Sequence, residues 1–218
     1  MNVIDTIKSW VSKDNLKKAP RMLIAVIMMG VCVALLQMTK FGPDPCSTMN
    51  YGVSRLLGIP FGVYQMCLNT VVFIIVFFID RTLLGLGSFG NMILVGYAAD
   101  FTTWLVGRLF GITEFTDLKQ RLIVMFIALI VFVFSAAVYM NCGLGTAPYD
   151  AVSFLAHKRL FADKGSRIPF KVTRLVYDGL ATIIGVLTGG GVGLVTILMI
   201  PSLGTAVDFV GKLMKRRE

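Results

Sequence analysis

A few polar side chains in this otherwise apolar chain stand at spacings that could hold a small molecule. Arg174 and Asp178 lie four residues apart, so on a helix they share a face and can pair. Gln65 and Asn69 have the same spacing and offer a neutral polar pair of similar shape. Asp150 follows Pro148 by two residues, with Thr146 just before and Tyr149 and Ser153 around it. Ser47 and Thr48 occupy the matching stretch behind Pro45. Asp100 interrupts an apolar run with no basic residue within a helical turn, which suits a proton or cation site. Asp208 lies one turn from Lys212 and is expected to pair with it. The chemistry on offer is ion pairing, hydrogen bonding and proton exchange with a solute. The same residues could serve structure alone, Asp150 and Ser153 as helix caps and Arg174–Asp178 as an ion pair near the surface.

Other chemistries lack their residues. The chain has one histidine, His157, and four cysteines without a CxxC pair, so no metal or haem site is expected. Cys32 and Cys67 read as small buried hydrophobes, and no disulfide is expected between Cys46 and Cys142. The glycine-rich GLGSFG and TGGGVG segments lack the GK[ST] that a phosphate loop needs. No nucleophile, base and orienter fall at a catalytic spacing. The chain is therefore expected not to be an enzyme and to need no cofactor.

The elements that must position these groups are membrane helices. The chain has 218 residues, 56% hydrophobic and 15% charged, with a mean hydropathy of +0.79. That charge deficit excludes disorder and argues strongly against a soluble enzyme. Six apolar segments of spanning length run roughly over 22–40, 59–79, 89–110, 122–141, 169–188 and 192–213. Two shorter helical stretches, 46–57 and 148–160, begin at prolines suited to a first helical turn and read as re-entrant or interfacial. Their free N–H groups point into the Gly/Pro loops and carry the positive end of the helix dipole. The first twenty residues read as a basic arm, amphipathic on the membrane surface or loosely ordered. The net charge of +9 sits at the ends of apolar runs, which indicates membrane topology and no nucleic-acid partner.

The chain also repeats itself. IPFGVYQM from Ile59 returns as IPFKVTRL from Ile168, FGPDPCS from Phe41 as LGTAPYD from Leu144, and LVGYAADF ending at Phe101 as LGTAVDF ending at Phe209. The offsets are 109, 103 and 108, in order. The expectation is an all-α polytopic membrane protein. It has an arm at 1–20 and two tandem repeats, 21–110 and 121–214, of three long helices and one half-length helix each. Gly96 and Gly204 are expected to let helices approach closely. If the short helices do not cross, the repeats are inverted and Lys plus Arg divide 16 against 5 in favour of the side holding both termini. If they cross, the repeats are parallel and the division is 19 against 2. Basic flanks at matching points of the repeats, KKAPR and LKQR among them, tilt the reading toward parallel repeats.

The G-x-x-P-x-D pattern of Gly145, Pro148 and Asp150, the basic-ended short helix, the G-x-P/S-F-x-V start and the last helix ending in Asp resemble the YczE/YyaS/YitT family of bacterial integral membrane proteins. The resemblance covers nearly the whole chain after the first twenty residues. It implies the bacterial cytoplasmic membrane and a role in export or in regulation beside secondary metabolism. Repeat one departs from the pattern, with Ser47 where repeat two has Asp150. The functional expectation is a small secondary transporter or permease for a small polar solute. Its site would lie between the repeats, built from Ser47, Thr48, Gln65, Asn69, Asp100, Thr146, Asp150, Arg174 and Asp178. Alternatives are a substrate-binding membrane subunit that needs a partner and a scaffold or regulator without solute. The expected partners are the bilayer and the solute, with a homo-oligomer or a partner protein left open.

Overall fold

The computed structural model describes residues 3–215. Among them are nine α-helices and two short 3-10 turns, with no strand. The helices are α1 (Val3–Trp10), α2 (Lys13–Met38), α3 (Pro45–Leu57), α4 (Phe61–Asp80), α5 (Leu86–Phe110), α6 (Leu118–Asn141), α7 (Pro148–Leu160), α8 (Phe170–Leu187) and α9 (Leu194–Lys215). Each expected segment becomes a helix, and both short ones start at their prolines. α2 begins nine residues earlier than its apolar run, because Ser12 caps it by accepting the Asn15 N–H and the helix then runs on through Pro20. The arm before it is a helix seated by Trp10, whose ring meets Phe73, Phe77 and Phe89 edge-on. The expected Asp208–Lys212 pair lies outside the described side chains.

The solvent logic of the fold is reversed from that of a soluble domain. Phe78 and Leu187 are 82% and 81% exposed, and Trp104, Phe110 and Ile130 also face outward. Inside lie Thr48, Asn50, Gln65, Asn69, Ser88 and Asp178. An apolar exterior around a core that buries polar side chains among its apolar ones has a physical explanation when hydrocarbon surrounds the molecule. Four helices are long and apolar enough to cross a membrane: α2, α4 with the turn after it, α6, and α9 as far as Lys212. The 25 residues of α5 are interrupted by Asn91, Asp100 and Arg108, and α8 carries Lys171, Arg174 and Asp178 within 18 residues.

Contacts along the helices fix their directions. Met22 and Gly30 of α2 meet Gly90 and Val95 of α5, so these two helices run in parallel. Gly62, Thr70 and Phe73 of α4 meet Asp100, Met92 and Phe89 of α5, so α4 runs the other way. The Arg121 Nε donates to the Thr39 carbonyl at one end of α6, while Val138 and Cys142 pack with Met22 and Val26 at the other. α6 is thus antiparallel to α2. α9 follows α6, with Asn141 beside Gly211. Because α2 and α4 run in opposite senses, α3 returns to the side from which it came. It leaves the interior at Ser47 and ends where Arg55 donates to the Gly189 carbonyl beyond α8. The matching stretches do not run in parallel as expected: α2 and α6 point in opposite directions, and the start of α2 and the end of α9 lie at the same end of the bundle. The basic flanks that suggested otherwise stand at opposite ends.

Helix partners exchange consistently between the halves. α2 packs on α5 as α6 does on α9, α3 on α8 as α7 does on α4, and α4 on α5 as α8 does on α9. Three loop hydrogen bonds occur twice at the sequence offsets. The Gly87 N–H donates to the Leu144 carbonyl (2.7 Å), and the Val195 N–H to that of Phe41 (2.9 Å). The Ser88 hydroxyl donates to the Thr146 carbonyl (2.6 Å), and that of Thr196 to Pro43 (2.8 Å). The Gly85 N–H reaches the Ser88 Oγ (3.0 Å), and the Gly193 N–H the Thr196 Oγ1 (3.4 Å). Each Gly/Pro loop is therefore pinned by the start of the other half's last helix, which satisfies backbone groups at that depth.

Candidate functional site

The two short helices start against one interior cavity of about 90 Å³. α3 contributes Asp44, Pro45, Cys46 and Ser47, and α7 contributes Ala147, Tyr149 and Asp150. Pro45 at the first helical position makes residue 44 the cap, and the Asp44 carboxylate accepts the Ser47 N–H at 3.1 Å. α4 and α8 add Gln65 with Asn69 and Arg174 with Asp178. The i,i+4 spacing aims each pair at the same space. α2 and α6 close the wall with Met29, Val33, Phe132, Ala136, Tyr139 and Met140.

Positions matched by the sequence offsets line this cavity together. Ser47 and Asp150, Cys46 and Tyr149, Gln65 and Arg174, Asn69 and Asp178, and Val95 and Leu203 are such pairs, and all of them line it. The second half carries the charge. The Arg174 guanidinium donates to Asp150 at 3.1 Å through Nη2, and its Nε lies 3.5 Å from Asp178 Oδ2. The Tyr149 hydroxyl donates to Asp178 Oδ1 at 3.0 Å. Three polar atoms on the lining make no hydrogen bond to the protein: Gln65 Oε1, the Tyr139 hydroxyl and Arg174 Nε. Gln65 is 4% exposed and Tyr139 2%. Burial of unpaired polar groups is costly, so Gln65 Oε1 and the Tyr139 hydroxyl are poised for a guest or for water, whereas Arg174 Nε keeps its ion-pair contact with Asp178.

Of the nine residues expected in the site, Ser47, Gln65, Asn69, Asp150, Arg174 and Asp178 come together here. The other three have structural partners elsewhere. The Thr48 hydroxyl lies 3.4 Å from the Pro43 carbonyl and from Thr196 Oγ1. Thr146 gives both its N–H and its hydroxyl to the Leu83 carbonyl. Asp100 accepts the Gly62 N–H at 2.7 Å, capping the start of α4 from a neighbouring helix. Its partner is a backbone group remote in sequence, so side-chain spacing gives no sign of it. Among the polar lining residues, Asp44, Asn91 and Tyr139 escaped the sequence reading. Asp44 sits inside the FGPDP linker, where an aspartate just before a helix-starting proline is the signal for a cap. Tyr139 is embedded in an apolar run and gives no signal.

A larger cleft of about 450 Å³ lies between α8 and α9, lined by Phe170, Lys171, Leu175, Pro201 and Gly204. Met140, Arg174 and Val207 line both spaces and form the partition between them. The same place in the first half is closed. A Cβ on Gly96 would lie 2.6 Å from the Gly62 Cα, so α4 and α5 touch backbone to backbone. Gly204, the counterpart of Gly96, has nothing nearer than the Arg174 Cδ at 3.7 Å. The expected close approach thus exists at Gly96 and is absent at Gly204.

A profile of a known family matches residues 16–212, from the first turn of α2 to near the end of α9. The chain belongs to DUF6198, a family of unknown function. Over 195 residues the chain is also 25% identical to an uncharacterized protein of Haemophilus influenzae, covering 89% of this chain and 84% of that one. No solved structure matches.

Proposed function

We propose that this DUF6198 chain is a small secondary transporter that moves a small polar solute by alternating access between inverted halves. One observation carries the reading: equivalent residues of both halves line one central cavity, sealed along α4–α5 and bordered by an open cleft along α8–α9. Antiparallel duplicated halves can exchange such conformations, which turns a cavity open toward one face into a cavity open toward the other. In the exchanged state α9 closes on α8 as α5 now does on α4, and Arg174 moves with the partition. The twofold hydrogen bonds and helix pairings support the tandem repeat on which this depends. The division of basic residues, 16 against 5, supports six crossings with both termini cytoplasmic. The Haemophilus relative and the resemblance to YczE/YyaS/YitT proteins support a bacterial cell membrane.

The test needs no substrate. Cys46 lines the cavity, so a variant keeping only that cysteine reports access to it. A membrane-impermeant methanethiosulfonate is applied to right-side-out and inside-out vesicles. Labelling from both faces is expected. Bridging Met66→Cys to Tyr97→Cys, which locks α4 on α5, should abolish labelling from the face away from the termini and leave the other. Labelling from one face in the unlocked protein would point instead to a binding subunit. No labelling from either face would point to a scaffold.

A further inference from the structure

The cavity's charge is unbalanced. Its described lining holds three carboxylates, Asp44, Asp150 and Asp178, against one basic side chain, Arg174. Arg174 is shared by Asp150 and Asp178, and Tyr149 supports Asp178. Asp44 is 8% exposed; the hydrogen bond it is given is the Ser47 N–H, and no basic side chain on this lining faces it. The two helix starts contribute about half a positive charge each, so with all three carboxylates ionised the lining carries an excess of about one negative charge. A buried charge without a counter-charge is strongly unfavourable.

Two of the three uncommitted lining atoms have a matching character, while the third, Arg174 Nε, is held beside Asp178. Gln65 Oε1 accepts, the Tyr139 hydroxyl can accept, and the Asp44 carboxylate has capacity beyond its cap. An alkylammonium head has three N–H donors, no acceptor and one positive charge. We infer that the transported solute bears a single primary ammonium group, held by Asp44, Gln65 and Tyr139; this rests on the transporter reading above. Cavity size confines the rest of the solute to a few heavy atoms, and Met29, Val33 and Phe132 offer it an apolar wall. An anion would face the carboxylates, and a neutral alcohol would leave the charge unmet.

The full chain in nanodiscs is tested by thermal unfolding with propylammonium, 1-propanol and propionate, in a potassium chloride background and again with sodium. Propylammonium alone should raise the Tm. Asp44→Asn should weaken its apparent affinity at least tenfold without lowering the ligand-free Tm by more than a few degrees, because asparagine also caps. Gln65→Lys, which puts a fixed cation in the same space, should abolish the shift. Stabilisation by propanol or propionate equal to that by the amine would overturn the ammonium assignment, as would a shift produced by sodium alone and lost in Asp44→Asn. If no probe acts while Cys46 is labelled from both faces, the assignment fails and the transporter stands. If no probe acts and labelling is one-sided, both fall.

Discussion

Arg174 bears on three acidic or phenolic neighbours and on both internal spaces, so its removal should be felt beyond one lost bond. Arg174→Gln leaves the half-buried Asp150 and the buried Asp178 without their cation, and since stripping one partner from a fully buried pair costs roughly 3–5 kcal/mol, a loss of about 2–3 kcal/mol is expected here. Chemical unfolding in detergent should show a loss of that order. The first half supplies the remedy in its own sequence. The triple variant Asp150→Ser, Arg174→Gln, Asp178→Asn copies Ser47, Gln65 and Asn69 and should recover most of the loss. Stability recovered without solute binding would separate the fold from the site. At this scale the sequence was informative where spacing along one helix decides geometry, as for Gln65–Asn69 and Arg174–Asp178. It was silent where a partner comes from another helix: the pairing of Arg174 with Asp150, and of Asp100 with the Gly62 N–H, are contacts across helices.

Helix boundaries were legible for a different reason. Proline starts, glycine turns and the length of apolar runs are local, and they place α3, α7 and the long helices closely. Helix direction is not local. Similar basic flanks suggested parallel halves, whereas packing makes α2 and α6 antiparallel. The two glycines at equivalent positions now make opposite predictions. Gly96→Val drives a side chain into the Gly62 backbone and should lower stability by about 1–3 kcal/mol, measured by thermal unfolding. Gly204→Val enters the open cleft and should leave the Tm within about two degrees. Because the exchanged state brings α9 onto α8 there, the same variant should lose labelling of Cys46 from the face away from the termini. Loss of stability at Gly204 with unchanged labelling would count against the exchange.

For the molecule as a whole, sidedness is the sharpest test. Single cysteines replacing Arg81 and Lys119, in a background without the native four, should be modified from opposite faces, Arg81→Cys from the face that carries both termini. Parallel halves would instead place Lys119 with the termini and Arg81 opposite. The apolar exterior and the polar groups buried among the helices suit a membrane body, and the long uncharged apolar runs of the sequence already pointed to one.

The mutual pinning of the loops also sets an order on biosynthesis. The carbonyls of Phe41 and Pro43 receive their donors from Val195 and Thr196, about 150 residues later in the chain. A ribosome releases the first half long before those donors exist. Until α9 emerges, the Phe41 carbonyl lacks that donor and the Pro43 carbonyl has only the Thr48 hydroxyl at 3.4 Å, and hydrocarbon cannot replace what is missing. The break before α3 is thus completed only when the last helix arrives.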